Sequence, residues 1–312
     1  MQVNALAIGK LQVKNNIFLA PMAGYTDYSI RHLQLKCGVG LAFTELVSAK
    51  GLMYGGEGSK ELLFSGADYK DTAVQLFGSD PSFMRAACES EYLKDFNIVD
   101  INMGCPVPKV FKNGEGSALL TDIVKAEKIV SACAKSGKTI TVKIRTGQRK
   151  GDDIAADFAK MAEDSGARLI TIHGRVRESY YSGEPDYRAI FRAKNSVKIP
   201  VIANGGIFTV NDANLMIERT GADGVMLARG ALANPFLVNE LLGISPEFTL
   251  KEYVREHILL MASRYPDKKA AMEMRKFIPY YFKGMVGVKD LKVKMQQAET
   301  TGELLTLIEE NL

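Results

Sequence analysis

Short apolar runs alternate with longer segments of helical pattern through the first three quarters of the chain. The runs have the length and the β-branched content of buried strands, and the segments between them repeat apolar positions at helical spacing. Helices are predicted over 81–94, 120–135, 153–165 and 209–219. Strands are predicted over 17–22, 41–47, 72–77, 98–103, 139–145, 168–173, 199–204 and 224–228.

This alternation predicts an α/β fold, because a helix between two strands returns the chain for a parallel, right-handed connection. Eight such units in roughly 240 residues have the size of a closed (β/α)8 TIM barrel. A doubly wound open sheet is the alternative architecture. From about Thr249 the pattern is helical only, with breaks at Pro266 and Gly284. We therefore expect a TIM barrel followed by a C-terminal helical domain.

The polar residues of the predicted strands fall on one face. Successive side chains of a strand point to opposite sides, and the apolar set must pack against the helices. The polar set therefore points into the barrel and gathers at the C-terminal ends of the strands, where barrel enzymes bind their ligands. The inward-facing set comprises Gln75, Asp100, Asn102, Thr141, Lys143, Arg145, Thr171 and His173. Burying a charge is costly unless it is paired, so four of these residues, Gln75, Asn102, Lys143 and His173, predict a binding or catalytic site and not merely a filled barrel interior.

Two glycine-bearing loops follow the seventh and eighth predicted strands. They read ANGGIFT over 203–209 and ARGALANP over 228–235, and Arg229 lies in the second. Backbone N–H groups at the start of a helix, together with a guanidinium, form a good phosphate site. The two loops together predict a phosphorylated cofactor whose other end reaches Lys143 and His173.

Composition and charge narrow the classes of protein that remain. The 312 residues are 46% apolar and 24% charged, which is typical of a soluble protein. The sequence contains no membrane-length apolar run and no signal peptide pattern, so we expect a cytoplasmic protein without a membrane partner. The net charge is +4, but the segment 264–294 holds nine lysines and arginines against three acidic residues. This basic stretch predicts a polyanionic partner.

The four cysteines do not form a metal site by spacing. There is no C-x-x-C pair, and no histidine lies at the sequence spacing of a metal-ligand pair with a cysteine, so we expect free thiols and no bound metal. Cys37, Cys88 and Cys133 lie in helix-like segments, where a cysteine is usually a small buried hydrophobe. Cys105 differs, because it lies in the sequence NMGCP directly after a predicted strand.

Motifs at nearly every strand end resemble the tRNA-dihydrouridine synthases, flavoenzymes that reduce uridine in tRNA with FMN. They cover almost the entire barrel in order, and one further motif lies in the helical tail. The motif around Cys105 is the longest and most specific. The matching segments are APMAGYTD (20–27), VQLFGSDP (74–81), DINMGCPVPKVFKNGEGSALL (100–120), VKIRTG (142–147), IHGRVR (172–177), ANGGI (203–207), GADGVMLARGALANP (221–235) and MRKFIPYYFKG (274–284).

The resemblance implies a catalytic, FMN-binding barrel over 1–243 and a helical tRNA-binding domain over 244–312. NADPH is the implied electron donor, although the sequence shows no dinucleotide fingerprint. Gln75 and Lys143 would hydrogen-bond the polar edge of the flavin, and His173 would also contact it. The implied FMN-binding residues are Pro21, Met22, Ala23, Gln75, Lys143, His173, Asn204, Gly205, Gly206, Ala228 and Arg229.

The same resemblance implies that Cys105 is the proton donor. Hydride would pass from N5 of the reduced flavin to C6 of the uracil, and the thiol would supply the proton to C5. A thiol with a pKa of about 8.5 is protonated at neutral pH and still acidic enough to donate that proton. Asn102 would orient the uracil. The other implied substrate-binding residues are Arg145, Arg175, Arg275, Lys276, Tyr280 and Lys283.

Some positions depart from the pattern of the family. Val176 stands where threonine is frequent, Gly206 where aspartate is frequent, and Ala228 where glycine is frequent. We expect FMN binding to survive, since backbone amides bind the phosphate. Two other functions remain open: an FMN-dependent reductase of small pyrimidines or enones, and an inactive barrel that binds tRNA as a folding chaperone. The sequence does not indicate which uridine is reduced or the oligomeric state.

Overall fold

Ten strands form a small hairpin and a closed barrel in the computed structural model, which describes all residues from 1 to 312. The hairpin pairs β1 (Leu6–Ile8) antiparallel with β2 (Leu11–Val13). The barrel strands are β3 (Ile17–Leu19), β4 (Leu41–Ser48), β5 (Thr72–Phe77), β6 (Ile98–Met103), β7 (Thr139–Arg145), β8 (Ile170–His173), β9 (Val201–Asn204) and β10 (Gly224–Leu227). They are all parallel, and β10 closes the barrel by pairing with both β9 and β3. The predicted TIM barrel is confirmed.

Helices surround the barrel and continue beyond it. Those of the barrel region are α1 (Tyr28–Lys36), α2 (Ala49–Met53), α3 (Glu57–Glu61), α4 (Pro81–Glu89), α5 (Pro108–Lys112), α6 (Ile123–Ala134), α7 (Ala155–Asp164), α8 (Tyr187–Ser196), α9 (Val210–Thr220), α10 (Arg229–Ala233) and α11 (Leu237–Leu242). The C-terminal region contains α12 (Leu250–Arg264), α13 (Asp267–Met274), α14 (Ile278–Tyr281), α15 (Lys289–Gln297) and α16 (Thr301–Asn311). Single 3₁₀ segments lie at Tyr69–Asp71, Glu91–Leu93, Gly116–Thr121 and Arg177–Ser179.

Two predicted helices are shorter than expected, for local reasons. The helix predicted over 81–94 ends at Glu89, because Ser90 takes an extended conformation with ψ of 151° and a 3₁₀ segment follows. The helix predicted over 120–135 begins at Ile123, where the Asp122 side chain accepts a hydrogen bond from the Lys125 N–H. The β1–β2 hairpin was not predicted.

The interior of the barrel is apolar at one end and polar at the other. At the N-terminal end of the strands, Phe18, Phe43 and Met226 pack with Ile8 and Val13 of the hairpin. The hairpin thereby closes this end of the barrel. Toward the C-terminal end, inward-facing positions become polar and remain buried, as the strand parity predicted. The barrel therefore presents its chemistry at one mouth.

The C-terminal helices pack directly on the barrel. Gln34 Nε2 of α1 donates hydrogen bonds to Tyr253 Oη of α12 and to the Pro235 carbonyl, each at 3.0 Å. One continuous apolar core runs from the barrel helices into this region, so the division between 1–243 and 244–312 stays a prediction. The predicted breaks at Pro266 and Gly284 separate α12 from α13 and α14 from α15. No helix combines the length and the apolarity needed to traverse a bilayer.

Candidate active site

A cavity of about 410 Å³ opens at the C-terminal mouth of the barrel. Fourteen of its 27 lining residues are apolar, and none is an aspartate or a glutamate. Three cationic side chains, Lys143, Arg145 and Arg229, line it instead. Such a cavity favours a largely apolar ligand that carries negative charge.

Most of the predicted site residues meet in this cavity. Arg175, Arg275, Lys276 and Lys283 do not line it. Tyr280 of α14 does, so the C-terminal helices contribute one wall. The predicted residues that line the cavity are Pro21, Met22, Ala23, Gln75, Asn102, Cys105, Lys143, Arg145, His173, Asn204, Gly205, Gly206, Ala228, Arg229 and Tyr280.

Cys105 lies in the loop between β6 and α5 and is 7% exposed. Its backbone N–H donates to Asn102 Oδ1 at 3.0 Å, and its carbonyl accepts from the Ser117 N–H at 3.1 Å. Burial raises the pKa of the thiol above its ordinary value, opposed by the Val107 amide and the charge of Arg145. The other three cysteines are free, as expected, and buried away from the cavity.

Arg145 links the Cys105 loop to the loop after β8. Its Nε donates to the Gly104 carbonyl at 2.9 Å, and its Nη1 donates to the carbonyls of Val176 at 3.2 Å and Tyr180 at 2.8 Å. These bonds use much of the guanidinium for holding loops. Val176 takes part through its backbone, so the missing threonine hydroxyl does not affect this contact.

Lys143 and His173 occupy neighbouring strands at the base of the cavity. Lys143 Nζ donates to Asn204 Oδ1 at 3.0 Å, and burial together with the charge of Arg145 lowers the pKa of Lys143 to about 8. Burial and the surrounding cations lower the pKa of His173 well below its ordinary value, so the imidazole is neutral. His173 Nδ1 is buried without a hydrogen-bond partner.

The loop after β9 forms a cradle beside these residues. Gly205 and Gly206 have φ values of 113° and 75°, which favour glycine, and neither backbone N–H has a protein acceptor. A Cβ on Gly205 would lie 3.2 Å from Arg175 Nη1 and 3.3 Å from the His173 ring. A Cβ on Gly206 would lie 3.1 Å from Pro185, which fits the glycine found there.

Arg175 lies behind this cradle. Its Nε and Nη2 donate to the Gly183 carbonyl at 2.9 and 2.7 Å, whereas its buried Nη1 has no partner. The structure thus places Arg175 next to the glycine loop. Its predicted contact with substrate stays a prediction.

Three predicted residues of the tail lie outside the cavity. Arg275 Nη2 donates to the Ala298 carbonyl at 2.9 Å, which joins the end of α13 to the end of α15. Lys276 pairs with Glu273. Lys283 is exposed.

Among the contributors to the site that sequence reasoning missed are a carboxylate and a tyrosine. Asp100, fully buried, accepts hydrogen bonds from Gln75 Nε2 and Thr141 Oγ1, each at 2.6 Å. Its inward parity was recognised, but its role was not. Tyr181 lines the cavity and lies 4.7 Å from the Arg229 guanidinium, ring centroid to Cζ. It comes from a loop without periodicity, so no sequence signal identified it.

The family model described as Dihydrouridine synthase (Dus) matches residues 18–312. The chain belongs to the dihydrouridine synthase family. The resemblance found in the motifs is thereby confirmed, over the barrel and the helical tail together. Family membership gives the cavity a chemical context that the fold alone does not supply.

Curated relatives of this dihydrouridine synthase chain match along nearly their whole length. The chain is 36% identical over 292 residues to tRNA-dihydrouridine synthase B of Pasteurella multocida, covering 90% of this chain and 87% of the relative. It is 33% identical over 309 residues to tRNA-dihydrouridine synthase B of Pseudomonas putida, covering 96% and 92%.

Solved structures share the barrel at low identity. A morphinone reductase N189A mutant in complex with tetrahydroNAD superimposes with a TM-score of 0.58 at 14% identity, covering 80% of this chain and 93% of that one. Histamine dehydrogenase from Rhizobium sp. 4-9 gives 0.59 at 14% identity, covering 82% and 50%. These likenesses concern the fold.

Proposed function

We propose that this protein is a tRNA-dihydrouridine synthase that reduces the C5–C6 double bond of specific uridines in tRNA, with FMN bound in the barrel mouth and NADPH as electron donor. The observation that carries the proposal is Cys105 at the rim of a cationic cavity free of carboxylates, in a chain of this family. The relatives named tRNA-dihydrouridine synthase B support the substrate class.

FMN fits the residues that line the cavity. The apolar lining suits a flat ring system, and the absence of carboxylates suits a phosphate. Gly205 and Gly206 offer two backbone N–H groups without protein acceptors. His173 lines the cavity, and its buried Nδ1 has no partner, so a ligand can supply one.

Each part of the cavity would hold one part of FMN. The glycine loop, Asn204, Ala228 and Arg229 would hold the ribityl phosphate. Gln75, Lys143 and His173 would hydrogen-bond the ring edge, and a cation at Lys143 favours the anionic reduced form. The segment 21–23 would pack against the ring. Bound FMN supplies the hydride that reaches C6 of the uracil.

Cys105 would then act as the general acid. It gives its proton to C5, so that one hydride and one proton together saturate the double bond. Because burial raises the pKa of the thiol, Cys105 retains its proton at neutral pH. The hydrogen bonds of Cys105 to Asn102 and Ser117 hold the thiol loop at the cavity. Asn102 would also orient the uracil.

The target uridine must leave any base stack to enter the cavity, which favours an extruded nucleotide. The helical region 244–312 would bind the rest of the tRNA, with exposed Lys283 as a direct phosphate contact. Tyr280 would contact the entering nucleotide from the cavity wall. Arg275 and Lys276 would add positive charge, although Arg275 also supports the end of α15 through Ala298.

The proposal is tested by turnover of the purified protein. The full chain, loaded with FMN, is incubated with NADPH and an unmodified tRNA transcript, and the nucleosides are analysed by mass. We expect dihydrouridine, absent when tRNA is replaced by free uracil or by a simple enone. If free uracil or the enone is reduced and no dihydrouridine forms in tRNA, the protein is instead a small-molecule reductase. No turnover of any of these substrates, with tRNA still bound, would favour the folding chaperone.

A further inference from the structure

Asp100 is a fully buried carboxylate that the proposed chemistry does not use. It forms no ion pair, because its two oxygens accept from Thr141 Oγ1 and Gln75 Nε2 at 2.6 Å each. Lys143 acts on it through space and directs its own Nζ to Asn204. Burying an unpaired carboxylate is costly, so a role for Asp100 is expected.

Asp100 is connected to the Cys105 loop by two side-chain amides. Gln75 donates to Asp100 through Nε2 and accepts from Asn102 Nδ2 at 3.0 Å through Oε1. Asn102 Oδ1 in turn accepts from the backbone N–H of Cys105 at 3.0 Å and of Gly104 at 3.3 Å. We name this series, from Asp100 through Gln75 and Asn102 to the Cys105 N–H, the amide chain.

The two ends of the amide chain demand the same arrangement. A side-chain amide can turn by half a rotation, which exchanges its donor and its acceptor. An ionised carboxylate accepts only, so Gln75 must present its NH₂ group to Asp100 and its oxygen to Asn102. A backbone N–H donates only, so Asn102 must present its oxygen to Cys105 and its NH₂ group to Gln75. Both requirements therefore fix the same orientation of the Gln75 and Asn102 amide groups.

We propose that Asp100 is a positioning residue, which fixes the orientation of the Gln75 and Asn102 amides and through them the position of the Cys105 loop. Gln75 and Asn102 both line the cavity, and each amide nitrogen keeps one hydrogen that the amide chain does not use. The cavity is thereby set to donate hydrogen bonds to carbonyl oxygens. The inference rests on the proposed function for the role of Cys105, but the geometry of the loop is independent of it.

The position of the loop is measured by alkylation of Cys105. The full chain loaded with FMN is treated with iodoacetamide, and the modified Cys105 peptide is followed by mass analysis. Asp100→Leu removes both acceptor oxygens at similar size. We expect its Cys105 to react about tenfold faster than that of the wild type, the effect of losing one buried hydrogen bond. Asp100→Asn, whose oxygen can still accept from Gln75 while its NH₂ group donates to the Thr141 hydroxyl, should keep the wild-type rate.

Thr171→Val is the matched control. Thr171 lies inside the barrel on β8, beside Lys143, and its buried hydroxyl has no partner. The change therefore alters the barrel interior without touching the amide chain, and we expect the wild-type alkylation rate. An Asp100→Leu rate within about twofold of the wild type, or equal acceleration in the control, overturns the proposal.

Two further measurements separate the possible failures. Where Asp100→Leu does not fold, Asp100→Ala, which also removes the acceptor of Gln75, decides, and a wild-type alkylation rate in that variant counts against the amide chain. Dihydrouridine formation is measured in parallel. A wild type that forms no dihydrouridine refutes the proposed function, whereas the alkylation rates still report whether Asp100 holds the loop. Under both proposals, Asp100→Leu loses turnover about tenfold while its FMN content stays high.

Discussion

Lys143 is a buried cation whose neighbours act on it in opposite directions. Burial and the charge of Arg145 favour its neutral form, and Asp100 favours the charged form. The outcome is a pKa of about 8, so the ammonium group is charged below that pH and neutral above it. A lysine balanced in this way can respond to a ligand that brings negative charge into the cavity.

This balance predicts a pH dependence of cofactor affinity. In the wild type, FMN should bind more weakly as the pH rises through about 8, because Lys143 loses its proton. Lys143→Met should bind FMN about tenfold or more weakly at pH 7 and show no such decline. Fluorescence titration measures both. Exposed Lys128, replaced by Met, is the control. Equal pH dependence in Lys143→Met would show that another group is responsible.

The sequence predicted where individual side chains lie more reliably than it predicted what they bind. Strand parity placed Lys143 and His173 inside the barrel, and they are there. Asp100 had the same parity, but its hydrogen bonds depend on neighbouring strands whose register no local pattern encodes. The carbonyls that Arg145 and Arg275 bind belong to distant loops. Their partners required the tertiary structure.

At the scale of elements, the loop after β9 depends most strictly on one residue type. Gly205 has a φ of 113°, and an added Cβ would lie within 3.3 Å of Arg175 and His173. Gly205→Ala should therefore strain the loop and weaken FMN binding by about tenfold or more. Gly58→Ala on α3 has open space around it and should leave the affinity unchanged. Unaltered FMN affinity in Gly205→Ala would contradict the assigned phosphate cradle.

The barrel strands were predictable because each is a short apolar run bounded by turn residues. All eight were placed within three residues of their ends. The β1–β2 hairpin was missed because its strands have three residues each, too few to show an alternation. The loop that carries Tyr181 has no periodicity at all, so its position against Arg229 could not be predicted from the sequence.

The whole molecule should be sensitive to acid through its C-terminal helices. His257 of α12 is fully buried with Nδ1 2.7 Å from Tyr281 Oη, and burial with the charge of Lys276 lowers its pKa to about 3. In the unfolded chain the His257 imidazole takes up a proton near pH 6.5, whereas in the folded chain it stays neutral down to about pH 3. The free energy of unfolding therefore decreases as the pH falls below about 6.5. At pH 4 the loss is on the order of 3 kcal/mol.

The variant His257→Gln tests this. It keeps an amide that can face the Tyr281 hydroxyl but cannot titrate. We expect its melting temperature to decline less than that of the wild type between pH 7 and pH 4, measured by calorimetry. A wild type and variant with parallel declines would show that other groups govern acid unfolding.

Binding of tRNA should involve the exposed cations of the C-terminal region. Lys283→Gln should weaken binding, and the slope of log affinity against log salt should fall by about one, as for the loss of one phosphate contact. Lys10→Gln, at the hairpin that closes the opposite end of the barrel, should change neither. Filter binding at several salt concentrations measures both. An unchanged slope for Lys283→Gln would place the tRNA elsewhere.

The most direct test of the central claim is the dihydrouridine content of tRNA in cells that lack this protein. The nucleosides are analysed by mass after rescue with wild type, Cys105→Ala or Cys133→Ala, where Cys133 is a buried thiol of α6 far from the cavity. We predict that dihydrouridine is lost at particular positions and restored by the wild type and Cys133→Ala. Cys105→Ala should restore little, since a general acid contributes about a hundredfold or more to the rate. Full restoration by Cys105→Ala would contradict the account.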